Sequence, residues 1–211
     1  MANDDVPAGF ADPAEPGTPG NPQTLTDPRM MRALAHPARI AILQRLALEG
    51  PATATECAEV AGLSPSACSY HLRALARYGF VEEDPAAAAD GRQRPWRARI
   101  IAFSIESGPG VSTASRVAGN VLRQSLQERF GEVREAYFAR EALYPAGWQE
   151  NAGTDRDVLH VTAEEFATLR ARLRDLMSEY RRLDPAQRPA GARRVQAEID
   201  LIPWFDPEAR R

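Results

Sequence analysis

Apolar positions in this chain recur three and four apart over most of its length, with a few short stretches of alternation between, and the two periods predict helices and strands respectively. "DPRMMRALA" begins with Asp at an N-cap position and Pro at the first helical position, and stops before His36-Pro37, which predicts a short helix. "ARIAILQRLALEG" places Ile40, Leu43 and Leu46 on one stripe and ends at Gly50. "TATECAEVAG" offers a capping box, Thr53 with Glu56, and a Gly62 stop. In "SPSACSYHLRALARYG" Ser64 can cap, Pro65 opens the helix, Gly79 closes it, and Cys68, Leu72 and Leu75 form its apolar stripe. "FVEED" and "WRARIIAFS" read as strands around the loop "PAAAADGRQRP", a hairpin wing. After the linker "SGPGVS", a stripe running from Val117 through Val121, Leu122, Leu126, Phe130 and Val133 to Tyr137 predicts a long helix over residues 112–142. "DVLHV" reads as a short strand, Thr162 and Glu165 as a second capping box opening a helix with Leu169, Leu173, Leu176 and Tyr180 on one face, and "RRVQAEIDLIP" as a half-buried strand.

These elements predict an α+β chain, mainly α, in three parts. Residues 1–26 are rich in Pro, Gly, Asp and Ala with little to bury, a disordered acidic tail. Residues 27–105 make a winged helix-turn-helix, two short helices joined by "GLS" and followed by the wing. Residues 112–206 make a C-terminal helical or α/β domain for dimerisation or effector binding, in which the Leu169 to Tyr180 stripe packs on the two strands. No apolar run approaches the length of a membrane span, and the start of the chain has neither a basic n-region nor an apolar h-region, so the expected location is the cytoplasm and no membrane partner is expected.

The net charge of −3 hides an asymmetry that changes the functional picture. Residues 1–27 contribute −5, residues 28–105 contribute +3 from ten Arg against seven acids, and residues 106–211 contribute −1. The basic part is the one that carries the helix-turn-helix. Within it, the helix opened by Ser64 has an outer face of Ser66, Ser69, Tyr70, Arg73 and Arg77 and no acidic residue, whereas a merely solvated face usually mixes Glu with its basic residues. Short donors near a helix N-terminus with Arg toward its edges is the division of labour of a helix lying in the major groove, bases to the former and phosphates to the latter.

At these residues the chain resembles the ArsR-type winged-helix repressors of bacteria. The resemblance covers about residues 28–105, and its specific parts are "LAHPARIAIL", the helix-to-strand run "LSPSACSYHLRALARYGFV" and the wing "GRQRPWR", the last similar to the subgroup with an added C-terminal domain. It implies a homodimeric transcriptional regulator of double-stranded DNA. The expected DNA-facing residues are Ser64, Ser66, Ser69, Tyr70, His71, Arg73, Arg77, Arg92 and Arg94. Tyr70 is either a base contact or a packing residue, and His71 either a phosphate contact, as its place in the family motif suggests, or a boundary histidine. Val117, Val121, Leu122, Leu126 and Phe130 are the expected dimerisation residues.

Several branches of that family bind metals, but this sequence departs from their pattern. Cys57 stands alone in "TECAEVA", and residues 112–142 contain no Asp and no His. Cys57 and Cys68 fall on apolar helix positions and read as small buried hydrophobes, so no metal site and no cofactor are expected, with a metal- or thiol-sensing repressor as the alternative. Phosphate-binding, GxSxG and HExxH signatures are all missing, and no enzymatic activity is expected. Tyr137, Tyr144, Trp148 and Trp204 are candidates for a small-molecule effector pocket, although aromatics at helical spacing and loop ends are more often core or dimer interface. A reading from another class is a protein-interaction module that docks through the winged helix.

Overall fold

Each stop signal in the first half of the chain ends a helix in the computed structural model, which describes residues 23–88, 94–181 and 187–204. Helix α1 (Pro28–Leu34) is capped by the Asp27 carboxylate, which accepts from the Arg29 amide at 2.7 Å. Helix α2 (Pro37–Glu49) is capped by a histidine: the Ala38 amide donates to His36 Nδ1 at 3.2 Å. Helix α3 (Ala54–Ala61) carries the complete Thr53–Glu56 capping box, and Gly62 ends it in the left-handed region at φ 64°. Helix α4 (Pro65–Arg77) has Ser64 as its cap, accepting from the Ala67 amide.

The core these helices enclose is built from Met31, Leu34, Ile40, Ile42, Leu46, Cys57, Cys68, Leu72, Leu75, Phe80 and Val81. The stripe on α4 is fully committed to it, since Cys68, Leu72 and Leu75 are all 0% exposed. Strand β2 (Val81–Glu83) pairs antiparallel with β3 (Trp96–Ala98) to form the base of the wing, and Ala52 bridges to Trp96 on the other side. Residues 89–93 of the wing lie outside the described residues.

The run "WRARIIAFS" is not one strand. It breaks after Ala98, and β4 (Phe103–Ile105) leaves the wing to pair in parallel with β1 (Gln23–Leu25). The end of the segment expected to be a disordered tail is therefore structured: Leu25 is 0% exposed, and its carbonyl accepts from the Glu106 amide at 3.0 Å. A three-residue strand with one apolar side chain has no period to detect, and its partner lies 80 residues away along the chain. Residues 1–22 lie outside the described residues.

The long helix α5 (Thr113–Phe138) docks on α1 rather than beginning a separate domain. Ala118 and Leu122 are buried in the same core as Leu25 and Met31. Three polar contacts fix the long helix along its length: the Ser115 hydroxyl donates to the Thr26 carbonyl at 3.0 Å, Ser125 to the Ala35 carbonyl at 3.0 Å, and Arg129 Nε to Gln44 Oε1 at 3.1 Å. Gly119 is required here, because a Cβ at this position would sit 2.9 Å from Ile105 Cγ2, and β4 could not lie so close. The linker "SGPGVS" is thus a turn inside one compact unit. The division into two units falls between Asp155 and Arg156, not near residue 106.

Helix α6 (Ala146–Gln149) closes the first unit, and α7 (Ala163–Glu179), opened by the Thr162–Glu165 capping box, is the helix of the second. The strands expected at "DVLHV" and "RRVQAEIDLIP" do not form: residues 157–161 and 193–203 have no strand structure, and α7 buries none of its residues. Alternation alone makes no strand without a neighbour to complete its hydrogen bonds, and neither segment has one among the described residues.

Two leucines on the α5 seam and one valine on its outer side should therefore respond differently. Leu25→Ala or Leu122→Ala is expected to cost about 2–5 kcal/mol in urea unfolding, while Val117→Ala, with 59% of its surface exposed, should stay within about 0.5 kcal/mol of the parent.

Candidate nucleic-acid interface

Because the α4 stripe is buried, the opposite side of the helix is set outward. Ser64, Ser66, Tyr70, Arg73 and Arg77 are exposed, and Ser69 and His71 lie at the edge of the face, half-buried. Tyr70 exposes 61% of its surface, so the packing role considered for it does not hold within this chain. The Ser64 and Ser66 hydroxyls lie 3.1 Å apart at the N-terminal end of α4, where backbone N–H groups and short side chains together present donors. No acidic residue interrupts this surface along α4.

The wing adds basic residues of unequal availability. Arg97 and Arg99 both pair with Glu82, at 2.5 Å and 3.3 Å, and are held against the strand. Arg94 is 3.6 Å from Glu83 and its side chain is 80% exposed, an ion pair too open to hold it away from a stronger anion. Arg92 lies outside the described residues.

His71 sits at a junction that sequence spacing does not reveal. Its ring centroid is 4.7 Å from that of His36, and its Nδ1 accepts from Arg39 Nε at 3.3 Å, while Arg39 Nη1 donates to the Ala33 carbonyl at 2.7 Å. Arg39 thereby ties the end of α1 to α4. Burial, and after it the charges of His36 and Arg39, hold the His71 imidazole below its ordinary pKa. Arg39 carried no signal in the sequence, because it stands 32 residues from His71 and on the face of α2 that periodicity assigns to solvent.

Residues 34–84 match the model of a family of helix-turn-helix domains. This segment is a helix-turn-helix domain. It contains α2, α3 and α4 and ends as β2 enters the wing. A protein of Streptomyces lividans described as "Probable mercury resistance operon repressor" is 41% identical to the chain over 68 residues, covering 32% of this chain and 50% of that protein. The chain thus spans about half the length of the curated relative it matches. Both matches agree with the ArsR-type resemblance carried by residues 28–105.

The other candidate residues are distributed as follows. On α5, Val117 and Val121 are exposed, Leu126 and Phe130 are half-buried, and Leu122 is 0% exposed within the chain's own core, so Leu122 is not available to a partner. The Tyr137 and Tyr144 rings meet at a tilt with centroids 5.1 Å apart, Trp148 is half-buried, and the Tyr137 hydroxyl is buried with no hydrogen-bond partner among the described residues. Desolvation, reinforced by Glu141, raises the Tyr137 pKa. Trp204 belongs to the second unit and is 88% exposed.

Cys57 on α3 and Cys68 on α4 meet inside the core, both 0% exposed. Desolvation, with the neighbouring Cys68, pushes the Cys57 thiol up to about 12, far from the thiolate form that reacts with oxidants and metals. Among the described residues no group of three or more His, Cys, Asp or Glu side chains is placed to hold a metal ion, and no helix is long and apolar enough to cross a membrane. Titration of the native protein with a thiol-specific chromogenic disulfide at pH 7.5 should therefore release almost no product until urea is added, when both thiols react. Rapid labelling of the folded protein would show that the α3–α4 core opens readily.

Proposed function

We propose that the chain is a sequence-specific, DNA-binding transcriptional regulator, a repressor, that binds a pseudo-palindromic operator as a homodimer and has no enzymatic activity. The observation that carries this reading is the acid-free face of Ser64, Ser66, Ser69, Tyr70, Arg73 and Arg77, held outward by a fully buried stripe and flanked by the exposed Arg94. The serines and Tyr70 supply groups that can read base edges, and Arg73, Arg77 and Arg94 neutralise phosphates on either side. A protein-docking role for the same face is the competing reading, and it predicts a much weaker dependence on salt.

One recognition helix reads too few base pairs for useful specificity, so two copies are needed at about 10–10.5 bp or a multiple of it. The surface that supports a dimer is the side of α5 that carries Val117 and Val121, one turn apart and 59% and 48% exposed. The second unit adds exposed Leu176, Tyr180, Val195 and Ile199, apolar side chains that a second copy would cover. A small-molecule effector near Tyr137, Tyr144 and Trp148 is supported by the unpaired Tyr137 hydroxyl.

A metal- or thiol-sensing repressor is the second reading, favoured by the meeting of Cys57 and Cys68 and by the printed name of the Streptomyces relative. Their burial argues the other way, and operator binding is expected to persist in the presence of diamide or zinc.

Footprinting on the protein's own upstream region should reveal a protected inverted repeat, and affinity for it should fall steeply with salt, each neutralised phosphate contributing about −0.9 to the log–log slope. Tyr70→Ala or Ser69→Ala should reduce the preference for that site by about 1–3 kcal/mol, whereas Arg94→Ala should weaken all sequences alike. A flat salt titration is incompatible with the reading.

Light scattering should find a dimer, and Val117→Glu with Val121→Glu should yield a folded monomer that binds the operator poorly. A monomeric parent, or a double variant that still dimerises, removes this face of α5 from the assembly.

A further inference from the structure

The tie between α1, α2 and α4 passes through one nitrogen whose hydrogen-bonding state depends on pH. Arg39 has no acceptor, so its Nε can only donate, and His71 Nδ1 must carry a lone pair to receive it. The proton of the neutral ring is then on Nε2. His36 is held in the same tautomer, because its Nδ1 accepts the Ala38 amide as the cap of α2. Two imidazoles therefore stand 4.7 Å apart with both Nδ1 atoms accepting from the α2 side, and a guanidinium completes the cluster.

A proton added to His71 goes to Nδ1, the ring nitrogen that carries the lone pair. The Arg39 hydrogen bond is then lost, two N–H groups face each other, and a second positive charge joins a site where that of Arg39 is already permanent. The charged and titratable groups facing His71 are Arg39 from α2, His36 from the α1–α2 turn and Tyr70 on its own helix, with ring centroids 5.5 Å apart. The charges acting on it are those of Arg39 and His36, and both oppose protonation.

Helix α4 carries the DNA-facing side chains of the proposed function, and α1 carries the seam to α5. We propose that Arg39, a residue outside the recognition helix, is the positioning residue that sets α4 for operator binding by holding His71 as a neutral imidazole against α1 and α2, so that protonation of His71 frees α4 and weakens binding. This rests on the DNA-binding reading and assigns it a residue and a pH response.

The sign follows from the packed state. His71 has a lower pKa there than its ordinary 6.5, so packing favours the neutral form; its contribution is complete above that value and is lost as pH falls through it. A histidine that served as a cationic phosphate contact would act in the opposite sense, with affinity rising as pH falls.

The chain has three histidines, which makes the test specific. Operator affinity of the full chain, measured by fluorescence anisotropy at constant ionic strength on the footprinted duplex, should be level above pH 7 and fall progressively as pH is lowered to 5, because the held His71 resists protonation and the freed ring does not. His71→Gln should flatten that slope whatever its affinity at pH 7.5, and His160→Gln should leave the profile unchanged. Arg39→Gln should bind more weakly at pH 7.5 with unchanged helix content. Arg39→Lys, which keeps the charge but cannot reach both Ala33 and His71, should not restore it.

Without DNA, the His71 ring proton followed by NMR should titrate below 6.5 in the parent and shift upward in Arg39→Gln. Affinity that rises on acidification, a slope retained in His71→Gln, or a ring titrating at or above 6.5 overturns the proposal. Absence of operator binding at every pH brings down the DNA-binding reading and this proposal with it, while the ring titration still reports on the cluster itself.

Discussion

The burial of Cys68, Leu72 and Leu75 is the constraint on which the outward polar face of α4 depends. A helix of thirteen residues with its whole apolar stripe at 0% exposure has no rotational freedom left, so the side chains a half-turn away face outward. Rotating α4 by even one residue would remove leucines from a close-packed core, at a cost of several kcal/mol. The serines, Tyr70 and arginines are thus presented by what lies behind them. Ser64 and Pro65 fix where the helix starts, Gly79 where the chain turns into β2, and Arg39 adds a polar tie where the apolar stripe runs out.

The same reasoning reassigns the long helix. A helix following a winged helix would leave an apolar stripe uncovered if it stood alone, but α5 divides its stripe in two. Ala118 and Leu122 face α1 and the β1–β4 pair, with Gly119 admitting the close approach of Ile105, while Val117 and Val121 remain on the far side. One helix therefore both completes the core of the helix-turn-helix unit and offers a surface beyond it. The second unit has the opposite character: its helix buries nothing within the chain, and its alternating segments have no strand to pair with.

The amino-acid sequence by itself determined the four helices of the first hundred residues and their ends, because caps, prolines and glycines act over three or four positions and need no distant partner. It also determined that α4 has a buried stripe and an acid-free face, since a 3.6-residue period is a local property, and it carried the ArsR-type resemblance that the helix-turn-helix match over residues 34–84 supports. Only the tertiary structure decided the features that depend on residues far apart in the chain. Leu25 is core because β4 lies beside it 80 positions later, Leu122 faces inward because α1 covers it, Cys57 meets Cys68 because α3 packs on α4, and Arg39 reaches His71 because α2 packs against α4. The two expected strands near the C-terminus fail for the same reason in reverse: alternation prepares a segment for pairing, but a ladder needs a second strand, and nothing within a segment's own few residues can supply it.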